Sequence, residues 1–331
     1  MRYISIIVMY LMAVNSLSAM KIHGLGRRST YFRLFSNKAF QNAGFPDALL
    51  PSTISSWSGV HQDIKKLIVY RDSDLIVVYK PNGVLTCQEN TSKSNTTVPV
   101  RTNLLDMLQL YFDTGNRDTN TRPKVGIVHR LDSPSSGLVV FSLTKTALQS
   151  LNEAFRSREV SKQYLCIVNG EIPFPVTYED YLLKTSSAIT KVISNPGNRT
   201  DVVPATLTVR PLYTINYRGK SANITTNTEL PSSTIPASDS KKQTLCEVTL
   251  LTGRKHQIRA QLAYRSHPLV GDVKYGAPQK FLTRDITLHA HKLEFVHPRT
   301  EKPMKFLCPP PRVWTKRFGE DCMQCASALF S

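Results

Sequence analysis

The chain has no G-x-x-x-x-G-K-[ST] and no G-x-G-x-x-G, so the glycine-rich cradles that hold ATP or dinucleotide phosphates are missing. It has no H-E-x-x-H either, and His256, His267, His289, His291 and His297 form no matched set with cysteines, which leaves metal chemistry without its usual ligand spacing. Cysteine is sparse. Cys87, Cys166, Cys246, Cys308, Cys322 and Cys325 are scattered over 331 residues, which excludes a disulfide scaffold and favours reduced surroundings. Cys322 and Cys325 make one C-x-x-C pair with no second pair to complete a site, and are read as surface thiols. No acid precedes Asp47. The apolar run in "MRYISIIVMYLMAVNSLSAM" is about eleven residues long, too short for a membrane span, so no stable membrane insertion is expected.

What is abundant is positive charge. Lys and Arg number 42 against 24 Asp and Glu, a formal charge of +18, and such an excess draws a polyanion more readily than an acidic protein or a neutral small molecule. The acid-free stretch 1–46 is basic, contains serine and mixes apolar with aromatic residues. That composition fits a mitochondrial targeting leader better than a secretory one. The matrix is therefore the expected location, with cytoplasm or nucleus as alternatives and secretion behind them.

Residues 47–66 read as a linker, 67–310 as the folded body and 311–331 as a C-terminal tail. "LIVYRDSDLIVVYK" at 67–80 reads as two strands about an acidic turn, ended by Pro81, Asn82 and Gly83. "NLLDMLQLYF" has helical apolar spacing, while "GIVHRL", "GLVVFSL", "YLCIVNGEI" and "TLCEVTLL" read as strands. Thr144 or Thr146 would cap a helix burying Leu148, Leu151 and Phe155, with Gln149, Arg156 and Arg158 on its polar side. Two polar segments near 87–100 and 219–243 carry too little apolar material to pack and read as exposed insertions. Many strands, few helices and no βαβ rhythm argue for an α+β body.

Four segments carry residues suited to chemistry. In "VHRLDSPSSGLVVF", Asp132 follows an apolar run and precedes Pro134 and Gly137, which places it on a tight connection at a core edge. Arg130, two residues away, could pair with it. Such a pair is either structural or a carboxylate held ready to react. In "SKQYLCIVNG", Tyr164 alternates with buried-type residues, and Lys162 could meet a phosphate. In "LTGRKHQIRAQL", Thr252 is a candidate helix cap, Ile258 and Leu262 an apolar face, and Lys255 with Arg259 a basic one. Arg254 would lie near the helix N-terminus, where phosphate can bind. "HPLVGDVKYG" holds Asp272 and Tyr275 in a shaped turn packing against the site.

Taken in order, "LIVVYKPNGV", "HRLDSPSSGL", "SKQYLCIVNG", "LTGRKHQIRAQL", "HPLVGDVKYG" and "LHAHKLEFVHP" resemble the motifs of RluA-type RNA pseudouridine synthases over about residues 67–310. The resemblance implies a pseudouridine synthase fold with a central, largely antiparallel mixed sheet and flanking helices. It implies conversion of uridine to pseudouridine in RNA rather than DNA, without metal or organic cofactor. Asp132 would be the catalytic aspartate, Tyr164 the base-stacking or proton-accepting tyrosine, and Arg259, ahead of Arg254, the arginine paired with Asp132. His129, Arg130, Lys162, Arg254, His256 and Gln257 would bind substrate. Ribosome-assembly or RNA-processing helper proteins are expected partners, and a monomer is favoured. "DSPSSG" departs from the family, which commonly has a basic residue after the aspartate and Thr-Ser-Gly at the end; Ser133 is expected to weaken a local backbone contact. A non-catalytic RNA-binding protein on the same fold is the alternative. A glycosidase would want a second acid, and no paired carboxylates are evident.

Overall fold

A computed structural model describes residues 33–35, 64–88, 103–115, 122–185, 189–216, 242–282 and 285–330. Of the expected leader only Arg33–Phe35 is among them, as strand β1. The polar insertions lie outside apart from Cys87 and Gln88 of the first and Lys242 and Gln243 of the second, which open a strand.

The remaining strands are β2 (Ile68–Arg71), β3 (Leu75–Lys80), β4 (Gly126–Ile127), β5 (Ser136–Ser142), β6 (Ser161–Asn169), β7 (Val176–Lys184), β8 (Thr190–Ile193), β9 (Val202–Asn216), β10 (Lys242–Leu250), β11 (Leu288–Val296) and β12 (Pro303–Leu307). They form one sheet in the order β2-β3-β5-β11-β6-β10-β9-β7-β8, with β4 on β5, and β12 joining β11 to β1. Among the described strands β11/β5 and β1/β12 pair in parallel and the other pairs are antiparallel. Among the described residues the helices include α1 (Leu104–Gly115), α2 (Lys145–Arg156), α3 (Gln257–Tyr264), α4 (Arg312–Phe318) and α5 (Glu320–Ser327), and residues 64–67 are helical too. Among the described residues no helix is long and apolar enough to cross a membrane.

The strand sequences explain their places. "LIVVYK" and "SGLVVFS" are buried at every position, as befits central strands covered on both faces. The close approach of β5 to β11 depends on Gly137, whose φ is 123° and whose missing Cβ would collide with the backbone of Ala290. α2 is capped as its sequence predicts: the Thr144 hydroxyl accepts from the Ala147 amide at 3.2 Å, and Leu151 is buried. Arg158, expected on the polar side of this helix, falls beyond its end with φ 64°.

The third helix starts later than its spacing predicts. Thr252 does not cap it; its hydroxyl accepts from the Thr206 amide and donates to Gln257 Oε1 at 2.8 Å. His256, in a left-handed conformation, occupies the cap position. Lys255 therefore precedes the helix, and it and Arg259 do not form a basic helical face. Arg259 is turned inward and only 4% exposed.

Residues 311–331 are not a loose tail. Trp314, Phe318, Cys322, Met323 and Ala326 from α4 and α5 pack on Leu165, Ile167 and Leu245. These sheet residues alternate with Tyr164, Cys166 and Cys246, which belong to the main core on the other face. The surface-thiol reading is thus wrong for Cys322, which is fully buried, and Cys325 is half-buried.

Candidate active site

A cleft of about 940 Å³ opens where the Asp132 loop, the end of α2, β6 and the start of α3 converge. Asp132, Tyr164, Arg259, His129, Arg130, Lys162, Arg254, His256 and Gln257 all line it. The sequence motifs therefore meet in space, although the side chains they contribute do different things.

The backbone around Asp132 is clamped by the turn after β3. Lys80, fully buried, donates from Nζ to the carbonyls of Pro81, Val84 and Ser133 at 2.9, 2.8 and 3.2 Å. Burial draws its pKa down to about 7, against the charges of Asp132 and Asp285. Asn82 Nδ2 donates to the Pro134 carbonyl at 2.6 Å, and the Gly83 amide to the Ser133 carbonyl at 2.8 Å. Ser133 returns a bond, its hydroxyl donating to the Gly83 carbonyl at 3.1 Å. The expectation that serine here weakens a backbone contact is therefore reversed, because the hydroxyl adds one. The amide and hydroxyl of Ser135 both donate to the Asp132 carbonyl, closing the turn. Thr86 holds both backbone groups of Leu131.

The carboxylate of Asp132 is held by Arg259, whose Nη1 donates to Oδ2 at 3.0 Å. Arg254, the other candidate, is exposed and donates from Nε to the Pro204 carbonyl. Arg259 is fixed in turn by Asp272, receiving its Nε and Nη2 at 2.7 and 2.9 Å. Its guanidinium also lies 4.9 Å from the centre of the Tyr275 ring. Burial disfavours the charge on Arg259, but Asp272 and then Asp132 outweigh it and raise its pKa. Arg259 thus stays a cation in a place with little water.

Tyr164 projects from β6 and is 8% exposed. Burial, and then the charge of Asp132, push its phenol well above the ordinary range. Its ring is available for stacking, whereas its hydroxyl is a poor proton acceptor at neutral pH. Arg130 sits at the exposed rim. Lys162 lies with Nζ 5.1 Å from the centre of Phe155, its pKa lowered by burial.

Two residues expected to bind substrate serve the walls instead. His129 stacks on Phe155 at 4.7 Å, and its Nε2 accepts from the Val140 amide. Burial and the Lys162 charge bring its pKa down to about 3, so the ring is a neutral acceptor. Gln257 is 2% exposed. Its Oε1 accepts from Thr252 and the Arg254 amide while Nε2 donates to the Thr206 carbonyl, which ties the loop to β9. His256 faces Asp132, with Nε2 3.7 Å from Oδ2. The partners that sequence reasoning did not assign are Asp272 and Lys80. The signal for Asp272 was the arginine itself, since a buried guanidinium calls for an anion to pair with it.

Residues 74–264 match the family described as RNA pseudouridylate synthase. The chain belongs to that family. It is 30% identical over 243 residues to the dual-specificity RNA pseudouridine synthase RluA of Haemophilus influenzae, covering 72% of this chain and 90% of that one. Identity to the ribosomal large subunit pseudouridine synthase D of Vibrio cholerae is also 30%, over 76% of this chain and 69% of the relative. To the tRNA pseudouridine synthase C of the same organism it is 29%, over 76% and 94%. The solved structure of human RNA pseudouridylate synthase domain containing 4 superposes with a TM-score of 0.55 at 20% identity, covering 77% of this chain and 93% of that one. For domain containing 1 the score is 0.54 at 22% identity, covering 80% and 94%. These two likenesses show the shared synthase fold. The protein is an RNA pseudouridine synthase, an isomerase acting on RNA, and the non-catalytic alternative finds no support.

Proposed function

We propose that Asp132 is the nucleophile of this synthase and that its substrate is a uridine in structured ribosomal or transfer RNA. The observation that carries this reading is the chain Asp132–Arg259–Asp272. It fixes one cleft-facing carboxylate in direction against a buried guanidinium, among basic residues. In the proposed path an Asp132 oxygen bonds to C1′ as the N-glycosidic bond breaks, with the electron pair leaving on the uracil. The base turns within the cleft, and C5 displaces the carboxylate from C1′. C5 then loses its proton, N1 gains one, and the product is an isomer of the substrate. Enclosure keeps the freed base near its new partner.

The uridine has to leave its stack to enter. Tyr164 offers a ring to receive it, and base–aromatic stacking is worth roughly 1–3 kcal/mol. Its raised pKa favours stacking over direct removal of the C5 proton. Arg130, Arg254 and Lys162 are suited to the flanking phosphates. The names of the relatives support ribosomal and transfer RNA as the substrate classes. The basic, acid-free leader supports the mitochondrial matrix, and a monomer with RNA-processing helpers remains our reading of assembly.

Incubating purified protein with mitochondrial ribosomal and transfer RNA tests the chemistry. The parent should form pseudouridine, while Asp132→Asn should form none and still bind RNA. Equal yields from the two would overturn the assignment. Site-resolved pseudouridine mapping of mitochondrial and cytosolic RNA after loss of the protein tests the compartment, and should show sites lost from the mitochondrial pool.

A further inference from the structure

His256 is held in an unusual way. Its backbone is left-handed, with φ 54° and ψ 22°, a region that a non-glycine residue occupies only when its surroundings impose it. The surroundings are the β7–β8 hairpin. Thr190 at the start of β8 donates from its hydroxyl to the Lys255 carbonyl at 3.0 Å, fixing the chain just before the histidine. The amide of the same Thr190 donates to the Tyr275 hydroxyl oxygen at 2.9 Å, and that hydroxyl lies 2.9 Å from His256 Nδ1.

The direction of these bonds follows from their last member. Nε2 faces the Asp132 carboxylate, which can only accept, so a neutral ring carries its proton there and Nδ1 is an acceptor. The Tyr275 hydroxyl then donates to Nδ1 while its oxygen takes the Thr190 amide. The ring is neutral: burial draws its pKa down to about 4 against Asp132, aided by Arg259, Lys255 and Lys274. Nε2 points at Asp132 Oδ2 from 3.7 Å, a separation of the kind that shortens when substrate closes a site. Arg259 Nη1 reaches the same oxygen. Among the described residues none hydrogen-bonds to Oδ1.

We propose that His256 is a positioning residue for Asp132. Its Nε2–H, fixed by the Thr190–Tyr275 relay, joins Arg259 on Oδ2 and leaves Oδ1 as the oxygen that meets the ribose. The proposal rests on Asp132 being the nucleophile. It differs from a substrate-binding role because its partner is the carboxylate, and from a purely structural one because it specifies which ring nitrogen bears the proton.

Three variants and one spectrum test it. His256→Asn tolerates the left-handed backbone but removes a donor at the Nε2 position, so kcat should fall roughly tenfold to a hundredfold, with RNA affinity within about twofold of the parent. His256→Gln can place an amide donor near that position and should recover part of the loss. Tyr275→Phe keeps the ring beneath Arg259 but removes the relay, and should lower kcat in the same direction. Nitrogen-15 spectra of histidine-labelled parent should show the His256 ring with its proton on Nε2, assigned by its absence from His256→Asn, and Tyr275→Phe should lose that preference.

A parent ring protonated on Nδ1 would overturn the proposal, as would parent-level kcat in His256→Asn. If His256→Asn does not fold, the parent spectrum and Tyr275→Phe decide. Asp132→Asn separates the two levels. An active Asp132→Asn defeats the nucleophile assignment itself, whereas an inactive one beside a fully active His256→Asn defeats only the role of the histidine.

Discussion

Arg259 and Asp272 form a two-pronged ion pair, Nε to Oδ2 at 2.7 Å and Nη2 to Oδ1 at 2.9 Å, with both side chains almost wholly buried. The pair leaves Nη1 as the one guanidinium nitrogen facing Asp132. A lysine could not do this, since a single ammonium has no planar fork to anchor on one carboxylate while addressing another. Asp272 therefore acts on the Asp132 carboxylate at one remove.

The first prediction concerns Asp272→Asn. The amide keeps the shape but removes the charge that balances Arg259, and losing one partner of a buried pair costs roughly 3–5 kcal/mol. Asp132 remains as a second partner, so the loss should lie near the lower end, measured from urea unfolding. The freed guanidinium can then turn fully toward Asp132 and cover Oδ1 as well as Oδ2. Single-turnover pseudouridine formation should fall by more than about tenfold at saturating RNA. Parent-level turnover would show that Asp132 does not depend on this anchor.

A second prediction lies away from the cleft, at Glu247. Burial acts to raise its pKa, but His291 and Arg210 bring it down to about 2 from an ordinary 4.5. Its carboxylate receives Arg210 Nη2 at 2.7 Å and lies 3.1 Å from His291 Nε2. Because the folded-state pKa is depressed, the stabilisation is fully present above the unfolded value and is lost as pH falls from about 4.5 toward 2. The acid limb of the parent should therefore be steeper than that of Glu247→Gln, with a difference of roughly 3 kcal/mol closing across this window. Urea midpoints measured in both proteins from neutral pH to about pH 2 provide the check, and parallel acid limbs would refute it.

How far the site was legible in the chain depends on the range of the interaction. Asp132, Tyr164 and Arg259 stand in short motifs, and all three reach the cleft. The strands of 67–80 and the Thr144 cap were legible because alternation and capping are local. The start of α3 was not, because its i, i+4 pattern reads as helix from Thr252, and nothing local announces that His256 adopts a left-handed backbone. That one residue moves Lys255 off the helix and leaves Gln257 to tie loop to strand. Cys322 was misread for a related reason: its burial comes from Leu165 and Ile167, far away in sequence.

Those two sheet residues lead to the third prediction. Trp314 is 1% exposed and, with Phe318, fills the layer behind β6. The facing positions on the other side of that strand are Tyr164 and Cys166. Trp314→Ala should cost about 3–5 kcal/mol, as large-to-small changes in a packed core do. Thermal unfolding measures the loss. Turnover at a temperature where the variant is still folded should drop less than for Asp272→Asn, because β6 keeps its pairing with β10 and β11. A variant as stable as the parent would mean that the C-terminal helices are dispensable to the fold.

Ser133 supplies the last prediction. It stands next to Asp132 and is bonded at both ends. Its hydroxyl donates to the Gly83 carbonyl, and its own carbonyl receives the Gly83 amide and Lys80 Nζ. Ser133→Ala removes only the first of these, so a stability loss of about 1 kcal/mol is expected, with turnover reduced by less than about tenfold because the two backbone bonds still hold Asp132 in place. Ser133→Lys loses the same hydroxyl bond while adding charge at the cleft. It should therefore bind RNA more tightly at low salt, with the gain shrinking as salt rises. Comparing both variants for unfolding, turnover and RNA affinity at two salt concentrations separates the local bond from the charge. If Ser133→Ala matched the parent in stability and turnover, the hydroxyl would be incidental.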